Sequence, residues 1–333
     1  MNIIIPMAGM GKRLRPHTLT VPKPLVPLAG KPIVQHLVED IAGLIEEPLD
    51  KVVFVTGRFG KKVEQHLIAV AEALGATGQI AYQDEALGTA HAVYCAKEAL
   101  EGKVIVAFAD TLFRANFKLD NTADGVLWVK QIENPSAFGV VQLDESGAIS
   151  DFVEKPSHFV SDLAMIGIYY FRKGEALRDE IAYLLDNKIT KGGEYQLPDA
   201  LKRLTESGSR LVPGEVAEWM DCGNAAVTIE TNSRVLELKH PQSHIDPSAQ
   251  VSNSLVIEPC YIGAGTRIEH SVIGPHVSLG TNCVLQDVRM RESLVQDGTT
   301  LSGAFLEKSM IGSSSKIAKA PMRLSVGDFN TVE

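Results

Sequence analysis

The sequence predicts an α/β protein: a doubly wound, mostly parallel sheet followed by a short triangular β-helix built from hexapeptide repeats. Three observations carry this. Short apolar runs alternate with amphipathic helical patterns through the first two thirds of the chain, and strands separated by helices imply parallel βαβ units. The first run, Ile3-Ile4-Ile5, reads straight into a turn holding Gly9 and Gly11. From Ile245 to Ile317 an aliphatic residue, with Met290 the softest case, recurs every five or six positions. That spacing places one short strand on each face of a triangular coil.

The elements follow in order. Strands are expected at 3–5, Lys51–Thr56, 79–83, Val104–Ala107 and 126–129, with helices at Ile33–Leu44, 61–74 and 89–99 between them. Ligands of such sheets bind beyond the carboxyl ends of strands. The glycine turn after Ile5 and Asp110 after the Val104–Ala107 run both fall there, which puts them in one crevice. Gly139–Leu143, Ile149–Glu154 and 166–171 read as short strands joined by turns, a mixed sheet forming one wall of the site. Helices return at 177–186, 197–207 and 225–238. After His240-Pro241 the composition shifts to the repeats, so the expected domains are 1–239 and 240–333. Three hexapeptides per turn give about 18 residues per coil and roughly four coils.

A chain of 333 residues suits about two domains. Hydrophobic content of 45% and charged content of 22% are those of a soluble globular protein, and a net charge of −9 argues against nonspecific nucleic-acid binding. No apolar run is long enough to span a bilayer and no leader pattern precedes the first strand, so no membrane partner and a cytoplasmic location are expected. The cysteines, Cys95, Cys222, Cys260 and Cys283, show no zinc or redox pair spacing. A zinc enzyme is not expected.

The chemistry concentrates near the N-terminus. A small-residue turn after a parallel strand lets backbone N–H groups approach an anion, and Lys12, Arg13, Arg15 and Lys23 lie within reach to neutralise it. This predicts a polyphosphate site. It is not the Rossmann pattern, because Leu14 stands at the third glycine position, and the Walker pattern is absent. The stretch Gly9-Met10-Gly11-Lys12-Arg13-Leu14-Arg15-Pro16, followed by Lys23-Pro24, resembles the signature of sugar-1-phosphate nucleotidylyltransferases. The resemblance covers most of residues 1–235. It implies a nucleotidyltransferase domain, and the repeats resemble the left-handed β-helices that often follow such domains.

What the resemblance implies can be placed residue by residue. Ala8, Gly9 and Gly11 would cradle the triphosphate. Arg13 would hold the departing pyrophosphate, and Lys23 would stabilise charge near the α-phosphate. Lys12 stands where the family often has Thr. Gln83-Asp84-Glu85-Ala86-Leu87-Gly88-Thr89-Ala90 resembles the base-recognition loop, with Gln83 pairing to a base edge and Gly88 admitting the backbone to the base. Read alone, the stretch is a helix start with Thr89 as its cap. Asp110 and Asp221, the latter in Trp219-Met220-Asp221-Cys222-Gly223, would hold Mg²⁺. Gly139, Glu154, Lys155 and Gly167 would line the sugar-phosphate pocket. Residues 193–199 resemble a family element assigned to scaffold.

Transfer of this kind joins a sugar 1-phosphate to the α-phosphate of an NTP. The nucleophile is already anionic, so lysines, an arginine and a metal are needed and a general base is not. The first expectation is dTTP, ahead of UTP, with glucose 1-phosphate, in nucleotide-sugar and polysaccharide biosynthesis. Alternatives are a mannose-1-phosphate guanylyltransferase and a non-catalytic nucleotide-sugar-binding regulatory subunit. The β-helix is expected to make a homo-oligomer. An acyltransferase role for it, with His270 or His276 as base, is the weaker alternative.

Overall fold

The computed structural model describes residues 1–115, 122–320 and 326. The chain divides into two compact units, Met1–Val26 with Pro32–Gly223, and Pro27–Lys31 with Asn224–Glu333. Residues 321–325 and 327–333 of the expected second domain lie outside the described residues.

In chain order the strands of the first two thirds are β1 (Asn2–Pro6), β2 (Pro27–Leu28), β3 (Lys31–Pro32), β4 (Lys51–Thr56), β5 (Thr77–Tyr82), β6 (Val104–Ala107), β7 (Thr111–Arg114), β8 (Gly125–Gln131), β9 (Gly139–Leu143), β10 (Ile149–Glu154), β11 (Leu163–Phe171), β12 (Leu211–Glu215) and β13 (Glu218–Asp221). The helices are α1 (Ile33–Leu44), α2 (Lys61–Glu72), α3 (Thr89–Tyr94), α4 (Gly174–Asp186), α5 (Leu197–Glu206) and α6 (Ala225–Lys239).

The main sheet runs β10-β9-β11-β6-β1-β4-β5, with β8 beside β11 and β12 beside β8. It is mixed. β6, β1, β4 and β5 are parallel, and β11 is antiparallel to β6, β8 and β9. β1 sits between two parallel neighbours, which explains three consecutive isoleucines with no exposure at all: a central parallel strand is covered on both faces. Ile4 joins a core with Val93 of α3, Leu177 and Ile181 of α4, and Leu201 and Leu204 of α5.

Several bounds differ from expectation. The helix at 61–74 stops at Glu72, because the chain turns through Gly75 at φ +77°. The helix at 89–99 breaks into α3 and a separate 3₁₀ turn, Lys97–Ala99. β11 starts at Leu163 rather than 166. β12, carrying Pro213 and Gly214, was not expected, since both residues are depleted in strands. Neither was the two-stranded sheet of β7 and β13.

In the second unit three parallel sheets of five, five and four short strands stack coil on coil, consistent with a left-handed β-helix. Gln250 lies beside Arg267 and Arg267 beside Val284, so a coil there takes 267 − 250 = 17 residues; Val284 beside Thr300 shortens it to 16. The inward column Ile262, Ile268, Ile273, Leu279, Leu285, Met290, Val295 and Leu301 is at most 3% exposed. Ile245 and Val251 of the first coil remain exposed, because only one side of that coil is stacked. On the third face the register partner of Ile273 is Val256, so the expected Ile257 falls one position past the inward column and is exposed. His270 and His276 occupy corner positions with φ of +49° and +62°. His270 Nε2 meets Asn253 Nδ2 at 3.3 Å and His276 Nε2 meets Glu237 Oε1 at 3.0 Å.

The sequence reading ends the first domain at 239, whereas α6 groups with the coils. Asn224 caps it, its side-chain oxygen accepting from the N–H groups of Ala226 and Val227. Within the helix, Asn232 is fully buried and its Oδ1 accepts from Ala29 N–H at 3.1 Å and from the Ser278 hydroxyl at 2.7 Å. Gly30, at φ +84°, lies so close to the Tyr261 ring that a Cβ would stand 2.1 Å from it. Helix, coil and the Pro27–Lys31 strap are thereby one packed body. Among the described residues no helix is long and apolar enough to cross a membrane.

Candidate active site

The glycine turn is built around Lys23. Gly11 has φ +75°, and a Cβ there would lie 2.5 Å from Lys23 Cβ. The turn is therefore left-handed and bare where the lysine passes it. Thr18, 2% exposed, donates its hydroxyl to Gly11 O at 2.7 Å and holds the turn from behind. Gly9 differs: its missing Cβ would enter open space. Lys23 donates to Asp110 Oδ2 at 3.2 Å, so the turn after β1 and the end of β6 do meet.

The loop after β5 is held by two sets of contacts. Arg58 forks onto both oxygens of Asp84 at 2.7 and 2.9 Å while its guanidinium covers Tyr82. Gln83 Nε2 donates to Gly88 O at 3.1 Å and lies 3.2 Å from His91 Nδ1. With the His91 tautomer that leaves Nδ1 bare, both amide hydrogens are engaged and Oε1 is the acceptor Gln83 can present. Gly88 has φ +114°, and a Cβ would stand 2.4 Å from Tyr195 O. Its bare face is filled by the 193–197 segment, not left open for a base. Thr89 does not cap its own helix. Its hydroxyl accepts from Leu197 N–H at 2.8 Å, the first N–H of α5.

The two aspartates meet through the β7–β13 pair. Asp221 lies opposite Thr111, the residue after Asp110, and Cys222 N–H donates to Asp110 O at 3.1 Å. Burial raises the Asp221 carboxyl above its ordinary range; Lys23 opposes the rise and Asp110 adds to it. Gly223 leaves room for the carboxylate, since a Cβ would lie 2.6 Å from Asp221 Oδ2.

On the other side, Gly139 and Glu154 are register partners in the β9–β10 hairpin, and a Cβ on Gly139 would meet Glu154 Oε2 at 2.7 Å. Lys155 has φ +46°, its N–H donates to Phe138 O at 3.1 Å, and its exposed ammonium lies 3.7 Å from Glu154 Oε1. The Phe138 ring meets Trp219 edge-on at 4.7 Å, which ties this hairpin to β13. Gly167 O accepts from Phe108 N–H at 2.9 Å. The phenol of Tyr169 is pushed up by burial, then by the charges of Glu154 and Asp110. The resemblance gives Tyr169 no role of its own, and the charges of both carboxylates reach it.

A cavity of about 480 Å³ unites much of this. Ala8, Gly9, Gly11, Arg13, Lys23, Gln83, Gly88 and Asp110 line it; Asp221, Gly139, Glu154, Lys155 and Gly167 do not. Asp221 approaches through its neighbour Gly223 and Gly167 through Phe108, both of which are in the lining. Glu194, assigned to scaffold, lines the cavity as well.

The nucleotidyl transferase family model matches residues 2–237. The chain belongs to the nucleotidyl transferase family. Over its whole length the transferase is 30% identical to a glucose-1-phosphate thymidylyltransferase of Streptomyces griseus, 99% of which is covered. It is 28% identical to a low-salt glycan biosynthesis nucleotidyltransferase of Haloferax volcanii, over 96% of this chain and 94% of that one. In fold it is similar to a nucleoside-diphosphate-sugar pyrophosphorylase from Vibrio cholerae, with a TM-score of 0.60 and 22% identity, covering 69% of the transferase and 99% of that chain.

The transferase's aspartates fit a hard divalent cation. Asp221 is half-desolvated with Asp110 close by, and Lys23 offsets only part of that charge. Among the described residues no cluster of three or more His, Cys, Asp or Glu side chains forms. Mg²⁺ suits such a site, because it is commonly held by one or two carboxylates with substrate phosphates and water completing its shell.

Proposed function

We propose that this chain transfers a nucleotidyl group from an NTP to a sugar 1-phosphate and releases pyrophosphate, with dTTP or UTP and glucose 1-phosphate as the first pair. The observation that carries this is one cavity lined by a glycine turn, three cations, an amide and an aspartate. The name of the Streptomyces griseus relative supports the choice of substrates.

The chain's own residues have three tasks. Arg13 and the Ala8–Gly11 backbone hold the triphosphate, and Lys23 sits over the α-phosphate, where charge grows in the transition state. Gln83 Oε1 accepts the ring N–H of thymine or uracil; cytosine and adenine offer a bare ring nitrogen there instead. Glu154 accepts from sugar hydroxyls while Lys155 holds the sugar phosphate in line. Asp110 and Asp221 would hold Mg²⁺, which when bound neutralises charge on the phosphoryl oxygens. A homo-oligomer made through the β-helix, working in the cytoplasm, belongs to the same reading.

The test is a panel of NTPs crossed with sugar 1-phosphates, read by pyrophosphate release. Turnover should be highest for dTTP or UTP with glucose 1-phosphate. A maximum with GTP and mannose 1-phosphate would move the specificity, and no release from any pair would overturn the reading.

A further inference from the structure

The geometry points to Glu194 as a residue that reads the nucleoside half of the NTP, an inference that rests on the proposed function. Glu194 lines the same cavity as Arg13, Lys23 and Gln83. It follows a tight turn whose tip, Gly192 and Gly193, has φ of +62° and +83°. Lys191 and Glu194 exchange backbone hydrogen bonds of 2.9 and 3.2 Å across that turn. The next residue is locked onto the Gln83–Ala90 loop: Tyr195 N–H donates to Leu87 O at 2.8 Å, and Ala90 N–H donates to Tyr195 O at 2.9 Å. Gly88, pressed against the Tyr195 backbone, leaves no slack.

The backbone beside Glu194 is therefore fixed, while its exposed carboxylate has one side-chain partner. Oε2 accepts from Gln196 Nε2 at 2.9 Å. Oε1 has no hydrogen-bond partner among the described residues. A carboxylate only accepts, so what it takes from a ligand is a donor. The cations of the cavity come from the segment after β1, whereas Glu194 rides on the loop that carries Gln83. This polarity draws the triphosphate toward Lys12, Arg13 and Lys23 and repels it from the Glu194 side. The group left facing Glu194 is a neutral donor of the nucleoside, either a ribose hydroxyl or a base N–H. Glu194 thereby fixes the direction in which the NTP lies and contributes to which NTP is accepted.

The experiment titrates wild type, Glu194→Gln and Glu194→Ala with UTP, dUTP and dTTP by calorimetry, without sugar phosphate. Glu194→Ala should weaken UTP binding by roughly tenfold or more, the scale of one charge-assisted hydrogen bond. Glu194→Gln, which keeps an acceptor, should recover part of it. In turnover the loss should fall on KM for the NTP rather than on KM for the sugar 1-phosphate. A ribose 2′-hydroxyl as donor makes the loss large for UTP and small for dUTP; a 3′-hydroxyl or a base N–H makes the two losses equal. Unchanged affinity of Glu194→Ala for all three nucleotides would overturn the inference, even in an enzyme that releases pyrophosphate. Weakened binding in a protein that releases none would uphold Glu194 and overturn the transfer reading instead.

Discussion

Lys23 Nζ lies 3.2 Å from Asp110 Oδ2, with the lysine side chain 7% exposed and the aspartate 46%. A cation withdrawn from water leans on a carboxylate that still faces the cavity. In the proposed reaction this arrangement would hold the ammonium ready beside the phosphate before it arrives, which keeps the reorganisation cost at the moment of reaction small.

Lys23→Ala should lower kcat by roughly 10²–10³, the usual scale for one preorganised electrostatic contact. Lys155→Ala should instead raise KM for the sugar phosphate by on the order of tenfold to a hundredfold. Steady-state kinetics with each substrate varied separates the two. A Lys155→Ala effect confined to the NTP would show that Lys155 does not serve the sugar side.

Gly9 and Gly11 should respond differently to the same methyl group. Gly11→Ala forces a left-handed backbone and collides with the Lys23 stem at 2.5 Å. It should cost about 1–3 kcal/mol of stability and most of the turnover. Gly9→Ala meets nothing within 4 Å. Its melting temperature should stay close to wild type while KM for the NTP rises. Equal melting temperatures for both variants would contradict this account of Gly11.

Chelation should abolish turnover, and Mg²⁺ should restore it. Asp110→Asn and Asp221→Asn should each reduce turnover severely with the far-UV circular dichroism unchanged. Near-normal rates in both would remove these residues as the metal pair.

Asp124 gives the stability of the first unit an acid limit. The Arg210 N–H, bonded to Oδ2 at 2.9 Å, and then the Arg172 guanidinium hold its carboxyl below the ordinary carboxylate range. A depressed folded pKa means that this stabilisation is complete above the unfolded value of about 3.9 and fades as pH falls through the folded one. Asp124→Asn should therefore melt below wild type at pH 7, and the gap should close in strong acid. A gap constant across pH would show that packing, rather than ionisation, accounts for the difference.

Local pattern was enough for the central strands, because β1, β4 and β6 are apolar runs with few alternatives. Local pattern pointed to Gly9, Gly11, Arg13, Lys23 and Asp110, and the family resemblance added Gln83 and Gly88; one cavity gathers them all. Long-range partner choice was not legible. Nothing near Thr111 announces that β7 pairs with β13, more than a hundred residues later. Glu194 reads as a turn residue until Tyr195 is seen zipped to Leu87. The spacing His240-x-x-x-His244 is present in the sequence, but α6 ends at Lys239, so the two histidines share no helix face. The two rings lie 5.9 and 5.0 Å from Tyr261, and His244 stacks on it.

The strap that accompanies the coils has a practical consequence for anyone cutting the gene. Leu28 and Ala29 are at most 1% exposed, and their segment groups with Asn224–Glu333 although it is encoded between Lys23 and α1. No single stop codon can therefore excise the β-helix cleanly. Ending translation at 223 would leave Pro27–Lys31 behind, with Ala29 N–H deprived of Asn232 and Gly30 deprived of the Tyr261 ring. A protease that nicked the same junction would release a fragment lacking one of its own strands of packing. A usable deletion needs a second change at residues 27–31, replacing the apolar strap with a polar turn.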